Sequence, residues 1–132
     1  MTYHFTAIAT LVALILYLWM ATRVARARVK AGILPPVMSG DPVLERTLRA
    51  HLNTLEWLPA FLGGLWLFAV YWGDVPAALL GALWIVGRLV YFLGYRAEAR
   101  RRLPGFFIQA LTTAVLLLGA LGKVIYVLAT GG

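Results

Sequence analysis

The chain contains no cysteine and only 5 acidic residues, against 12 lysines and arginines. Without cysteine, the chain cannot form disulfides, thiolate metal sites or a cysteine nucleophile. Charge is also scarce within the long apolar runs. Hydrophobic residues make up 62% of the chain, far more than in soluble globular proteins. These features exclude a disulfide-stabilised secreted domain and favour a small integral membrane protein.

The basic residues lie beside the apolar runs, and this placement bears on the partners of the chain. A net charge of +7 could indicate nucleic acid, but cations that flank apolar segments are typical of topology signals and anionic-lipid contacts. We therefore expect membrane lipids, and no nucleic acid, as partners. Only His4 and His51 are histidines, and neither belongs to a set of His, Asp or Glu at ligand spacing. No metal site is predicted.

Four apolar segments are long enough to cross a bilayer, and they predict one all-α integral membrane domain over residues 1–132. The predicted helices cover about 4–26, 42–72, 75–98 and 104–130. Asp41 as N-cap and Pro42 as first residue give the second helix a clear start. At roughly 31 residues and about 46 Å, this helix exceeds a hydrocarbon core of about 30 Å. Its first turns should therefore stand at or beyond the membrane interface.

Two basic clusters indicate the orientation of the chain. One follows the first predicted helix and the other follows the third, so both lie on the same side of the membrane. The positive-inside rule places that side in the cytosol and both termini on the non-cytosolic side. The clusters are Arg23, Arg26, Arg28 and Lys30, then Arg96, Arg100, Arg101 and Arg102.

A polar stripe on the second predicted helix is the first functional signal. Arg46, Arg49, Asn53 and Glu56 recur at spacings of three, four and three residues, which places them on one helical face. Charged groups that face lipid are costly, so this face should meet a bundle interior, a polar cavity or a partner chain. His51 lies near the stripe, and its own position indicates a hydrogen bond at the helix interface.

The third predicted helix carries a second stripe formed by Trp84, Arg88, Tyr91 and Tyr95. Arg88 lies well inside the span and should have a carboxylate partner. Glu56 is the acid found deep in an apolar segment, so we expect an Arg88–Glu56 ion pair that fixes helix register. The tyrosines could be interfacial aromatic residues or ligand donors.

These motifs resemble those of the membrane-associated proteins in eicosanoid and glutathione metabolism (MAPEG), and are closest to the microsomal glutathione transferase branch. The second-helix motif is Glu45-Arg46-x-x-Arg49-Ala50-His51-x-Asn53-x-x-Glu56. The third-helix motif is Gly87-Arg88-x-x-Tyr91-Phe92-x-Gly94-Tyr95, followed by the arginine cluster. The similarity covers nearly the whole chain, from Arg28 through the fourth helix.

The resemblance implies a homotrimeric four-helix bundle that binds glutathione between neighbouring subunits at its cytosolic end. In that family pattern Arg102 would be catalytic, by stabilising the glutathione thiolate, although Arg100 and Arg101 remain alternatives. Trp57 replaces a tyrosine of the leukotriene branch, and Val29 replaces a second arginine of some members. The implied glutathione-binding residues are Arg28, Arg49, His51, Asn53, Glu56, Tyr91 and Tyr95.

The function implied is a glutathione S-transferase that detoxifies a lipophilic electrophile, with possible lipid-hydroperoxide peroxidase activity. Glutathione would be the co-substrate, with no metal. A non-catalytic, lipid-binding member of the family is the alternative. A small multidrug transporter would need a proton-coupled carboxylate in the first helix, and no acid occurs before Asp41. The expected location is a bacterial inner membrane, as a multi-pass protein.

Overall fold

The computed structural model describes residues 2–132 as four long α-helices joined by short connections. They are α1 (His4–Ala31), α2 (Pro42–Trp72), α3 (Asp74–Ala97) and α4 (Leu103–Thr130), with a 3-10 helix at Ala99–Arg102 before α4. All four are long and apolar enough to cross a membrane. This agrees with the predicted all-helical membrane bundle. The last three helices begin and end within one residue of the predicted positions.

The first helix differs from the prediction because it continues to Ala31 instead of ending near residue 26. Arginine and lysine are good helix formers, so the basic residues extend the helix beyond the apolar run. The helix ends where Gly32 adopts the left-handed conformation (φ 70°). The Ile33 amide then donates to the Arg28 carbonyl, which is a common helix C-terminal pattern.

Asp74 joins the first helix to the third at the opposite end of the bundle. Its carboxylate accepts hydrogen bonds from the backbone amides of Phe5 (3.0 Å) and Thr6 (2.7 Å). The Thr6 hydroxyl donates to the Asp74 carbonyl at 3.3 Å. Amides in the first turn of a helix have no intrahelical acceptor, so a residue of α3 satisfies the free donors of α1 and fixes how the two helices meet.

Helices α3 and α4 approach each other closely, and glycine makes this possible. A Cβ at Gly105 of α4 would overlap the backbone of Tyr91 and the Gly87 carbonyl on α3. Similarly, a Cβ at Gly94 would overlap the backbone of Arg101. The absence of side chains at these two points brings Tyr91, on α3, against the start of α4.

The interior and exterior of the bundle differ as expected for a membrane protein. Phe61 and Trp84 stack at its centre, with ring centroids 3.8 Å apart and planes inclined by 4°, and both are fully buried. Large apolar side chains such as Leu79 and Leu118 are exposed on the outside. A lipid environment would cover this apolar surface without requiring a polar face.

Candidate active site

A cleft of about 310 Å³ opens between α2, α3 and the start of α4. Its volume falls within the range of about 300–1,000 Å³ that is typical of small-molecule sites. The two polar stripes of the sequence meet here, because α2 and α3 turn them toward each other. The lining residues are Arg49, Asn53, Glu56, Tyr91, Tyr95, Arg102, Leu103 and Phe106.

Of the three consecutive arginines before α4, Arg102 is the one that lines the cleft. Its Nη1 donates to the Ala99 carbonyl at 2.6 Å, and its Cζ lies 5.3 Å from the centroid of the Tyr95 ring. These contacts hold the guanidinium at the mouth of the cleft. Arg101 instead pairs with Glu98 at 3.3 Å, on an exposed surface, and Arg100 is exposed.

Arg88 is fully buried beneath the cleft. Its Nη2 donates to Thr54 Oγ1 at 2.6 Å and to Asn53 Oδ1 at 3.1 Å. Its Cζ also lies 4.2 Å from the centroid of the Tyr91 ring, within the range of a cation–π contact. Arg88 therefore contacts two residues that line the cleft, Asn53 and Tyr91.

The expected direct ion pair between Arg88 and Glu56 is not formed. In the part of the chain that the structure describes, the ion pair present joins Arg101 and Glu98. The guanidinium of Arg88 is directed to a hydroxyl and an amide on α2, whereas the Glu56 side chain is exposed at the cleft. Helix periodicity placed both residues correctly on facing stripes, but the nearer partners on α2 are neutral.

An aromatic wall forms one side of the cleft. Tyr91 and Tyr95 meet edge to face, with ring centroids 5.6 Å apart. The ring centroid of Phe106 lies 6.3 Å from that of Tyr91. Phe106 also contacts Trp57 edge to face at 5.7 Å. Sequence patterns did not single out Leu103 and Phe106, since apolar residues in an apolar helix carry no distinguishing signal.

Two of the predicted ligand-binding residues lie away from the cleft in a single chain. Arg28, near the end of α1, donates through Nη1 to the carbonyls of Val37 (2.6 Å) and Ile33 (3.4 Å). His51 stacks on Tyr17 of α1, with centroids 4.6 Å apart. Its Nε2 is buried and has no hydrogen-bond partner among residues 2–132. Neither side chain lines the cavity.

The chemistry of the cleft follows from its residue types. Two guanidinium groups, one carboxylate, one amide and two phenols converge on it. Guanidinium groups bind carboxylates bidentately, and a carboxylate binds an ammonium group. The cleft therefore suits a zwitterionic ligand that has more than one carboxylate. Residues 2–132 contain no group of three His, Cys, Asp or Glu residues able to hold a metal ion.

Comparison with known proteins identifies the family of this chain. The model of the MAPEG family matches residues 6–122. An uncharacterized protein of Synechocystis sp. is 44% identical over 120 residues, which cover 91% of this chain and 88% of the relative. Human microsomal glutathione S-transferase 2 is 41% identical over 105 residues (79% and 71%). Guinea-pig (Cavia porcellus) leukotriene C4 synthase is 37% identical over 111 residues (84% and 74%).

The match runs from the start of α1 into α4, and it confirms the resemblance that the second-helix and third-helix motifs indicated. The chain is therefore an integral, multi-pass membrane protein that belongs to the MAPEG family.

Proposed function

We propose that this protein is a membrane-embedded glutathione S-transferase. The observation that carries the proposal is the cleft between α2, α3 and α4, in which Arg49, Glu56 and Arg102 surround one cavity with two tyrosines. The chain belongs to the MAPEG family, and one of its relatives is a microsomal glutathione S-transferase. Glutathione is therefore the expected ligand.

Glutathione has two carboxylates, one ammonium group and one thiol, and the cleft offers a partner for each. Arg49 would hold a carboxylate, because a guanidinium can donate two parallel hydrogen bonds to it. Glu56 would accept from the ammonium group, and Asn53 would hydrogen-bond to the peptide backbone. Arg88 keeps Asn53 in place through the 3.1 Å contact. Binding would therefore be polar and specific for a charged tripeptide.

Arg102 would activate the thiol. A cation beside a thiol stabilises the thiolate and so lowers the thiol pKa, and the proton would pass to water at the mouth of the cleft. The thiolate sulfur would then attack the electrophilic carbon. A carbon–sulfur bond forms while the leaving group departs with its electron pair. The Tyr95 ring fixes the position of the guanidinium, so little reorganisation would be needed during the reaction.

The second substrate would be lipophilic and would arrive from the bilayer. Leu103 and Phe106 form the apolar part of the cleft, and the outside of the bundle is apolar. A lipid hydroperoxide could enter by the same route. The thiolate would then attack the terminal peroxide oxygen, so that the oxygen–oxygen bond breaks, the alkoxide leaves and takes up a proton to become the alcohol, and glutathione sulfenic acid forms. The thiol of a second glutathione would reduce this sulfenic acid, giving glutathione disulfide and water.

We further propose that the protein is a homotrimer in which neighbouring subunits share the site. Glu56 lies beyond the first turns of α2 and is exposed on the single chain, although this helix spans a membrane. A charged group that faces lipid is costly, so a neighbouring copy would cover this side of the cleft. Such a copy could also supply Arg28, which does not line the cleft of its own chain. The number three and the cytosolic position of the site come from the family resemblance.

Purified protein in liposomes, supplied with glutathione and 1-chloro-2,4-dinitrobenzene, tests the proposal. We expect chloride release and formation of the aryl thioether at a rate well above the uncatalysed reaction. Cumene hydroperoxide in place of the aryl halide tests the peroxidase activity. If glutathione binds but neither substrate is consumed, the transferase assignment fails and the non-catalytic, lipid-binding alternative applies.

A further inference from the structure

A second cleft, of about 430 Å³, lies on a different part of the molecule from the candidate active site. It opens between the end of α1, the start of α2 and the end of α3. Four of its seven lining residues are cations, and none is an acid. The residues are Arg23, Arg26, Ala27, Lys30, Val43, Thr47 and Arg96.

Two of these cations are held in place by an aromatic pair below the cleft. Trp19 of α1 and Phe92 of α3 meet edge to face, with ring centroids 5.7 Å apart. The guanidinium of Arg23 lies 5.4 Å from the Trp19 ring, and that of Arg96 lies 5.8 Å from the Phe92 ring. The aromatic contact thus brings together two arginines that are 73 positions apart in the sequence.

No carboxylate of residues 2–132 forms an ion pair with the four cations. Asp41 lines an adjoining depression together with Lys30. Its Oδ2 already accepts the Leu44 amide at 2.9 Å. Thr47 is buried at the base of the cleft and donates to the Val43 carbonyl at 2.7 Å. The charge of the cleft is therefore left for an anionic ligand to neutralise.

We propose that this cleft is a binding site for the phosphate group of an anionic phospholipid. Guanidinium groups bind phosphate bidentately, and basic pockets between membrane helices on the cytoplasmic side bind acidic lipid head groups. Arg23 and Arg96 would hold the phosphate oxygens, while Arg26 and Lys30 would add positive charge at the rim. This site is independent of the proposed transferase activity.

The position of the cleft favours a lipid over a soluble anion. Arg23 follows directly on the uncharged part of α1, where a helix would leave the hydrocarbon core. Ile15 is 64% exposed, and it lies eleven residues before Arg26, close to three full turns and hence on the same face. A lipid whose phosphate occupied the cleft could therefore lay its acyl chain along the apolar surface of α1.

The experiment measures lipid retention by native mass spectrometry of the purified full chain, released from phosphatidylcholine nanodiscs that contain phosphatidylglycerol. Thermal unfolding in the same lipids provides a second measurement. Four variants are compared with the wild type: Arg23→Gln with Arg96→Gln, Arg23→Lys with Arg96→Lys, Arg26→Gln, and Lys123→Gln. Lys123 lies near the C-terminal end of α4 and contacts the Trp72 ring. It does not line the cleft, so its variant controls for loss of charge alone.

We expect the wild type to retain phosphatidylglycerol in preference to phosphatidylcholine. Affinity should fall about fivefold for each cation removed, hence roughly thirtyfold in the double glutamine variant. The double lysine variant keeps the charge but not the forked geometry, and it should show an intermediate loss. Lys123→Gln should behave as the wild type.

The proposal is overturned if the double glutamine variant melts as the wild type and retains phosphatidylglycerol equally well. If that variant does not fold, Arg26→Gln decides the matter, because Arg26 is exposed and its replacement should still weaken retention about fivefold. If inorganic phosphate raises the unfolding temperature as much as phosphatidylglycerol does, the ligand is a soluble anion and not a lipid, which would overturn the proposal. A loss of stability that is independent of lipid would point to a contact between protein copies and would likewise overturn it.

Discussion

Arg100 and Arg102 are two residues apart, yet only Arg102 lines the cleft beside Tyr95. A cation that acts on a developing thiolate should affect turnover more than ground-state binding. We expect Arg102→Ala to lower the rate of aryl halide conjugation roughly a hundred- to a thousandfold, with glutathione affinity within about tenfold of the wild type. Arg100→Ala is the matched control and should stay close to the wild type. The opposite order of effects would assign the thiolate to Arg100.

Arg88 also bears on the site, although it lies beneath the cleft and does not line it. Because its guanidinium donates to Asn53, we expect Arg88→Met to weaken glutathione binding by releasing the Asn53 side chain. Residues that act through one contact show coupling of about 0.5–3 kcal/mol in a double-mutant cycle. Calorimetric titration of Arg88→Met, Asn53→Ala and the double variant measures this coupling. Fully additive losses in affinity would show that Arg88 does not act through Asn53.

At the level of helices, the contact between α3 and α4 controls whether the cleft exists. A Cβ at Gly105 would overlap backbone atoms of Tyr91, and backbone atoms cannot rotate away as a flexible side chain can. We expect Gly105→Ala to separate the helices and to cost at least about 1–3 kcal/mol of stability. Conjugation activity should fall as well, because Tyr91 and Arg102 would move apart.

Gly122→Ala provides the matched control on the same helix, since a Cβ there would meet nothing within 4 Å. Alanine is the better helix former by about 0.8–1.0 kcal/mol, so this variant should melt at the wild-type temperature or above it. Thermal unfolding of both variants in one detergent gives the comparison. A Gly105→Ala protein as stable as Gly122→Ala would show that the close approach is not required.

The helices could be predicted from the sequence more fully than the contacts between them. Apolar length and the Asp41-Pro42 start signal located α2 correctly, because both depend on local chemistry. The end of α1 was placed too early because its basic residues suggested a loop, whereas solvated arginines and lysines continue a helix until Gly32 ends it. The C-terminal end of α1 is therefore also determined locally, by helix-forming side chains followed by a glycine.

For the candidate site, periodicity identified the polar faces of α2 and α3, and these do meet in one cleft. It could not identify Thr54 as a partner of Arg88, since that choice depends on the relative height of the two helices. Phe106 was missed because an aromatic residue in an apolar helix looks like any other lipid-facing or core residue. Arg28 does not line the cleft of its own chain, and sequence patterns do not separate sites within a chain from those between chains.

At the level of the whole molecule, the proposed trimer shares each site between two copies. Arg102 would come from one copy and Arg28 from its neighbour, so neither single variant, Arg28→Ala nor Arg102→Ala, should have normal activity. Co-expression of the two variants should restore some complete sites. A site is complete when one copy carries an intact Arg102 and its neighbour carries an intact Arg28. With random mixing in a cyclic trimer, about a quarter of all sites would meet both conditions.

Conjugation activity of the co-expressed, co-purified variants measures this restoration, and native mass spectrometry confirms that both chains are present. Mixing the two proteins after separate purification is the control, and should give no restoration if the trimer is stable. Activity no higher than the average of the two single variants would contradict the shared site. Native spectra that show only monomers and dimers would contradict the trimer itself.

The most direct test of thiol activation by Arg102 is an ultraviolet difference spectrum of the purified protein titrated with glutathione, since thiolate and thiol absorb differently. We expect a thiolate band that rises with occupancy and saturates at neutral pH, where free glutathione is mostly protonated. In Arg102→Ala the band should be absent although calorimetry still shows binding. Bound glutathione without a thiolate band in the wild type, or an unchanged band in Arg102→Ala, would contradict the proposal that Arg102 activates the thiol.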